Sequence, residues 1–476
     1  MQEAKYTDME AAVEVNKQVT WEAGRRARLT VLTLAFVSLI VALGATILIT
    51  ALPDAALLFF TIGSIVVGIA QSMDVLLLGQ VLKGVSGAGI LPMTQIVLCD
   101  IVPLRFRPKY ASVAQLAWAI GLINSPLIGG LMVRHVTWRW IFYMNLPFCG
   151  VGMVIVPFII RLKTKQSSTM AKLTRIDWIG EFLFIGCMTS FLMAITWGGV
   201  DHAWDSEATL VAPLVIGIVK TIVSILWEKW GAREPFIRLA IFSNWSAHAG
   251  YYCAMTQGLV LFIQLYYISL YLTSVKGFSP VHTGVATISM SSILVPTGVI
   301  VSLLISRTGR IRWALWSGWV FQILASGLLI LLDGTIATWR WVLILMTCGF
   351  GHGVLLQALT FVRQTMAKDT DESYAATIYN FSSTLGTAFG VAIGGTMFLN
   401  RLKHHLASAG FDVTIASNAD QYVAVLNTMT DQALRHDISV AYAASFKNLF
   451  ELGLALAILD ALVSLLIRES VLIGSM

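Results

Sequence analysis

Between Thr30 and Ala70 almost every side chain is apolar, and only Pro53 and Asp54 break the run. A helix needs about 20 such residues to cross a hydrocarbon core. This one run is therefore long enough for two crossings, with scarcely a residue left for the turn between them. Comparable runs follow at 75–100, 111–132, 141–161, 178–197, 209–227, 245–271, 282–305, 313–332, 341–362, 375–399 and 447–467. With 30–52 and 55–71 they make thirteen candidate spans. At 57% hydrophobic and 12% charged residues the chain is too apolar for a soluble globular domain. It reads as an all-α polytopic membrane protein with the bilayer as its medium.

The net charge of +6 sits mostly in short loops between spans, where positive-inside bias explains it without nucleic acid. Arg25, Arg26 and Arg28 precede the first span, and basic loops recur at Arg105, Arg107 and Lys109, at Lys163 to Arg175, at Lys229 to Arg238, and at Arg307, Arg310 and Arg312. These loops, the polar tail 1–29 and the C-terminus are expected in the cytosol. The tail has no apolar centre and does not read as a cleavable signal. From the fourth candidate span onward the charges alternate correctly. Before it they do not, because crossings by both 30–52 and 55–71 would put the basic "PLRFRPKY" outside. Either 55–71 runs in reverse as a tight hairpin on Pro53-Asp54 or, the preferred reading, one of the two does not cross.

The five cysteines lie in or beside apolar runs, and no disulfide is expected. The eight histidines form no metal-spaced cluster and no nucleophile triad stands out, so neither an enzyme nor a metal site is predicted. The polar segment 401–445 reads as an outer loop holding a short amphipathic helix.

Two glycine-rich stretches resemble each other: "GLINSPLIGG" from Gly121 to Gly130, and "GTAFGVAIGG" with Gly386, Gly390, Gly394 and Gly395. They imply two related halves. Together with "WRWIFYMNLP" and "DIVPLRFRPKY", the first stretch resembles the fourteen-spanner drug:proton antiporter branch of the major facilitator superfamily, especially its fungal toxin and multidrug efflux members. The resemblance implies an incomplete first helical bundle over 30–162, a linker with two inserted spans over 163–240, and a second bundle over 241–476. It also implies a monomeric secondary-active efflux transporter at the plasma membrane, exporting amphipathic drugs, toxins or secondary metabolites by alternating access. It implies no bound cofactor, with a proton gradient as the candidate driving force. Gly121, Pro126, Gly129 and Gly130 match the family's antiporter motif, and Ser125 replaces its middle glycine. Plain helix packing by small residues is the other reading of the same positions. Arg105, Arg107, Arg307 and Arg310 match gating loops, although topology marking predicts the same charges.

Three departures bear on the function. Gly44 stands where the family carries an aspartate, Gln80 stands where it carries a coupling arginine, and its second span and following basic loop have no counterpart near Pro53. Lys83 is the nearest substitute cation, and a snorkelling lysine is its alternative reading. The missing span also leaves open a non-transporting remnant or an incomplete gene model. Polar residues inside spans, namely Gln95, Asn124, Gln257, Gln264, His352, Gln357, Tyr379 and Asn380, are candidates for a weakly polar cavity suited to an uncharged amphipathic solute. Interhelical hydrogen bonding is the other role open to each of them.

Overall fold

The computed structural model describes residues 53–84, 86–87, 121, 127–132, 135–159, 177–200, 204, 206, 212–231, 242, 244–366, 372–429 and 431–467. The tail 1–29, the run 30–52, Gln95, Arg105, Arg107, Asn124, Ser125, Pro126 and the C-terminal residues 468–476 lie outside them. The described elements are α-helices.

Six helices make the second bundle: α5 (Trp245–Ser274), α6 (Pro280–Thr308), α7 (Arg312–Leu329), α8 (Thr338–Met366), α9 (Glu372–Ser408) and α11 (Gln432–Ser464). Before them come α1 (Pro53–Gly68), α2 (Asn145–Ile159) and the linker pair α3 (Trp178–Trp197) and α4 (Ala212–Trp230). Among the described residues, five helices are long and apolar enough to cross a membrane: α3, α5, and the apolar parts of α6, α8 and α9.

Local chemistry sets the ends. The Ser279 hydroxyl accepts the His282 N–H at 3.4 Å and Pro280 occupies the first turn of α6, where its missing N–H costs nothing. Gly309 closes that helix at φ +66°, a left-handed conformation that favours glycine, and donates to the Ile305 carbonyl at 2.8 Å. Asp177 caps α3 by accepting the Gly180 N–H at 3.0 Å and also receives Trp227 Nε1 of α4 at 3.0 Å, which pins the linker pair together.

Glycines set the closest helix seams. Gly386, Gly390 and Gly394 recur every four residues on α9 and face α5: a side chain at Gly386 would strike the Met255 carbonyl, and a Cβ at Gly390 would stand 2.6 Å from the Leu259 carbonyl oxygen. Gly395 is less tightly packed, with the Tyr267 hydroxyl of α5 in ordinary contact 3.5 Å from its Cβ position. On α8, Gly349 and Gly353 press on the Met290 and Leu294 carbonyls of α6 in the same way. Close backbone approach adds dispersion contacts, which carry helix association where lipid removes the hydrophobic drive. At one end of the bundle the packing turns aromatic, with Phe398 of α9 stacked on Phe446 of α11 at 4.7 Å and Tyr267 of α5 beside both.

The linker pair docks outside this bundle. Thr396 of α9 donates to the Ile195 carbonyl at 2.8 Å, Asn400 donates to the Gly198 carbonyl at 3.0 Å, and Phe191 meets Phe389 edge-on. In the first half, α1 and the helical stretch 73–84 form an antiparallel hairpin. A Cβ on Gly63 would stand 2.8 Å from the Lys83 backbone nitrogen, and one on Gly79 would stand 2.8 Å from that of Val67.

The segment 401–445, read from sequence as a loop, is mostly helical. Helix α9 continues to Ser408 and α11 begins at Gln432. Between them Thr414–Ser417 and α10 (Ala419–Thr428) cover the bundle end, with Val423 and Leu426 buried and Asp420 accepting the Tyr266 hydroxyl at 3.1 Å. Hydropathy marked only the apolar middles of these helices, since "RLKHHLAS" is helical but not apolar.

Candidate functional site

Five polar side chains from three helices meet inside the second bundle: Gln257 and Gln264 of α5, Gln322 and Ser326 of α7, and His352 of α8. All are at most 2% exposed. Gly351, one residue before His352, faces Gln322, so α7 and α8 approach closely at this level. His352 Nε2 lies 2.7 Å from Gln264 Oε1, Gln257 Nε2 lies 3.1 Å from His352 Nδ1, Gln322 Nε2 donates to Gln264 Oε1 at 3.2 Å, and Gln264 Nε2 donates to Ser326 Oγ at 3.0 Å.

One assignment of hydrogens satisfies these contacts: the imidazole carries its proton on Nε2 and accepts at Nδ1. Gln257 Oε1 and Gln322 Oε1 then remain without a partner among the described residues. A buried carbonyl oxygen left unpaired costs about 1–3 kcal/mol. The cluster therefore holds two unused acceptor oxygens among the described residues and no fixed charge.

Of the residues proposed from sequence, Gln257, Gln264 and His352 are brought together here. Gln357 lies one helical turn and a residue beyond His352 and packs against Gly298 of α6, next to the in-helix Pro296. Asn380 of α9 is half-buried, with Nδ2 unpartnered among the described residues. Lys83 is not in this cluster. Its ammonium lies 4.6 Å from the Phe142 ring centroid and 5.2 Å from that of Phe60. The ammonium is thus held by aromatic faces in the first half. Gln322 and Ser326 were not singled out from sequence, although a lone glutamine in "WVFQILAS" is the same signal that marked Gln257.

Arg307 and Arg310 are exposed beside Gly309. The next arginine, Arg312, donates from Nε to the Ile467 carbonyl at 3.2 Å, tying α7 to the end of α11. At the opposite end, Lys276 donates to the Gly334 and Ile336 carbonyls at 2.9 and 2.8 Å. Gly130, the last glycine of the first-half motif, lies against α6 here: a Cβ on it would stand 2.7 Å from the Pro280 carbonyl oxygen. For Gly121 and Gly129 nothing among the described residues comes within 4 Å of an added Cβ.

The model of the Major Facilitator Superfamily matches residues 31–391. The MFS transporter L2 of Phoma sp. (strain ATCC 20986 / MF5453) is 36% identical over 418 residues, covering 87% of this chain and 70% of that protein. The efflux pump FUS6 of Gibberella moniliformis (strain M3125 / FGSC 7600) is 30% identical over 426 residues, covering 87% of this chain and 75% of the pump. Among solved structures, a mutant of the peptide transporter POT superposes with a TM-score of 0.55 at 14% identity, over 93% of this chain and 86% of that one. At that identity the likeness is one of fold.

Proposed function

The chain belongs to the Major Facilitator Superfamily, and on that premise we propose that it is a secondary-active efflux transporter exporting small amphipathic organic molecules by alternating access. The observation that carries the substrate class is the buried Gln257–His352–Gln264–Gln322 cluster, which has neutral donors and acceptors, no fixed charge and two spare carbonyl oxygens. Such a site orients an uncharged polar group while apolar walls bury the rest of the solute. The export direction is supported by the efflux-pump name of a relative aligned along 87% of the chain. That extent, and a family match running from 31 to 391, favour a working transporter over a remnant.

Within this reading the chain acts as a monomer in the plasma membrane, with a proton gradient as the driving force. The end bearing Arg307 and Arg310 faces the cytosol together with both termini, and those arginines serve the gating loops. The incomplete first bundle, the linker over 163–240 and the second bundle divide the labour, with the glycine motifs of the two bundles serving the surfaces that slide as access alternates. The tight seam at Gly130, where the first-half motif meets α6 of the second bundle, supports this assignment. Expression in a yeast lacking its own pumps is expected to lower accumulation of several hydrophobic toxicants. Unchanged accumulation across a broad panel, with the protein present at the plasma membrane, overturns the proposal.

A further inference from the structure

The apolar half of α11, "LGLALAILDALVSLLI", carries one charged residue, Asp460, and its side chain is fully buried. Thr256 of α5 meets it: Thr256 Oγ1 lies 2.6 Å from Asp460 Oδ1 and 2.9 Å from the Tyr252 carbonyl of its own helix. The other carboxyl oxygen, Oδ2, has no partner among the described residues.

Among the described residues no cation answers this carboxylate. The titratable side chains on which it acts are Tyr252 and Cys253, both on α5. Neither 313–329 on α7 nor 374–400 on α9 contains a charged residue. Arg312 of α7 is engaged at Ile467, seven residues after Asp460 and past the end of α11. An unpaired carboxylate in such a setting is costly.

Thr256 serves either state of the acid: its hydroxyl donates to an ionised Oδ1, or accepts from a protonated one and turns to the Tyr252 carbonyl. What a proton removes is the buried charge, since Oδ2 has no donor among the described residues to stabilise it as part of a carboxylate.

We propose that Asp460 and Thr256 form a proton-binding site in the second bundle, loaded when α5 and α11 are closed on each other and emptied when that seam admits water. The step is the dissociation of the carboxylic acid to a carboxylate, with the proton passing to water. Its use in transport rests on the efflux reading, while the proton site stands without it. The site lies in the opposite half from Gly44 and Gln80, where the family resemblance places coupling groups that this chain lacks.

Two measurements on the full-length purified protein test this. Dicyclohexylcarbodiimide, which captures protonated carboxyls in apolar surroundings, is added between pH 5 and 9 and the adducts are mapped by mass spectrometry. The expected result is an adduct on Asp460 that falls at least tenfold across the range through one midpoint, persists in Asp460→Glu and vanishes in Asp460→Asn. No adduct, or labelling constant with pH, overturns the site.

In the second, rhodamine 6G movement is followed in vesicles with and without an imposed pH gradient. Stimulation by the gradient is expected to disappear in Asp460→Asn and to return in Asp460→Glu. Gradient stimulation retained in Asp460→Asn would leave a structural acid and overturn the coupling role. A wild-type protein that moves no dye strikes at the transport reading, and the labelling still decides the proton site.

Discussion

The carbonyl oxygen of Pro280 lies where only a glycine at position 130 leaves room, 2.7 Å from the place a Cβ would take. This contact joins the end of the first-half motif to the first turn of α6. Gly130→Ala is therefore expected to cut transport at least tenfold with the protein still in the membrane. Gly129→Ala, with nothing described near its Cβ, is expected to retain most of it. Side-by-side toxicant accumulation, normalised to surface protein, checks the pair, and equal loss in both would show that close approach to Pro280 is not what matters.

His352 holds the polar cluster from both ring nitrogens. Replacing it with alanine leaves the Gln257 amide unpaired and takes one donor from Gln264. A buried polar group stripped of its partner costs about 1–3 kcal/mol, so His352→Ala is expected to lower the melting temperature in detergent. Gln257→Leu removes a member bonded to the cluster only through His352 and is expected to cost less. A His352→Ala protein as stable as the parent would show that water or lipid already satisfies these groups.

The second bundle was legible because hydropathy and helix coincide there: 245–271 and 313–332 differ from Trp245–Ser274 and Arg312–Leu329 by three residues or fewer at each end. They part company at α9 and α11, whose polar ends leave the apolar layer while remaining helical. The glycine echo at Gly386 and Gly390 was readable as a pattern, and what it packs against was not, because spacing names a helix face and no partner. In the same way "CGFGHG" carries Gly349 and Gly353, whose contact with α6 only the fold reveals. Asp460 was the clearest signal passed over, one acid in sixteen residues of otherwise uncharged helix. Hydropathy absorbs it into an apolar run, and only the packing of α11 on α5 shows that its side chain is buried against Thr256.

Lys83 sits between two rings and has no carboxylate partner among the described residues, so its attraction should be read from Phe142. A cation over an aromatic face is worth about 0.5–2 kcal/mol. A double-mutant cycle of Lys83→Met and Phe142→Leu, followed by unfolding of the purified protein, is expected to return a coupling energy in that range. Zero coupling would mean that the ammonium leaves the rings for the membrane surface.

The direction of α1 answers the difficulty posed by the unbroken run from Thr30 to Ala70. At its far end the Ala70 carbonyl accepts from Arg139 at 2.8 Å. Gly130, a few residues before Arg139, stands beside Pro280, and Lys276 ties that loop to Gly334 and Ile336. Arg307, Arg310 and Arg312 occupy the other end of the second bundle, so α1 starts at Pro53 on the arginine side. Helix α1 begins at Pro53 itself, so the apolar run leaves no described residues before it for a return across a core of about 30 Å. Single cysteines at Asp54 and Thr335, in a version lacking the native five, report this through an impermeant maleimide. Thr335→Cys is expected to label on intact cells, and Asp54→Cys only after permeabilisation. Labelling of Asp54→Cys on intact cells would place the start of α1 outside and reverse the orientation drawn from the basic loops.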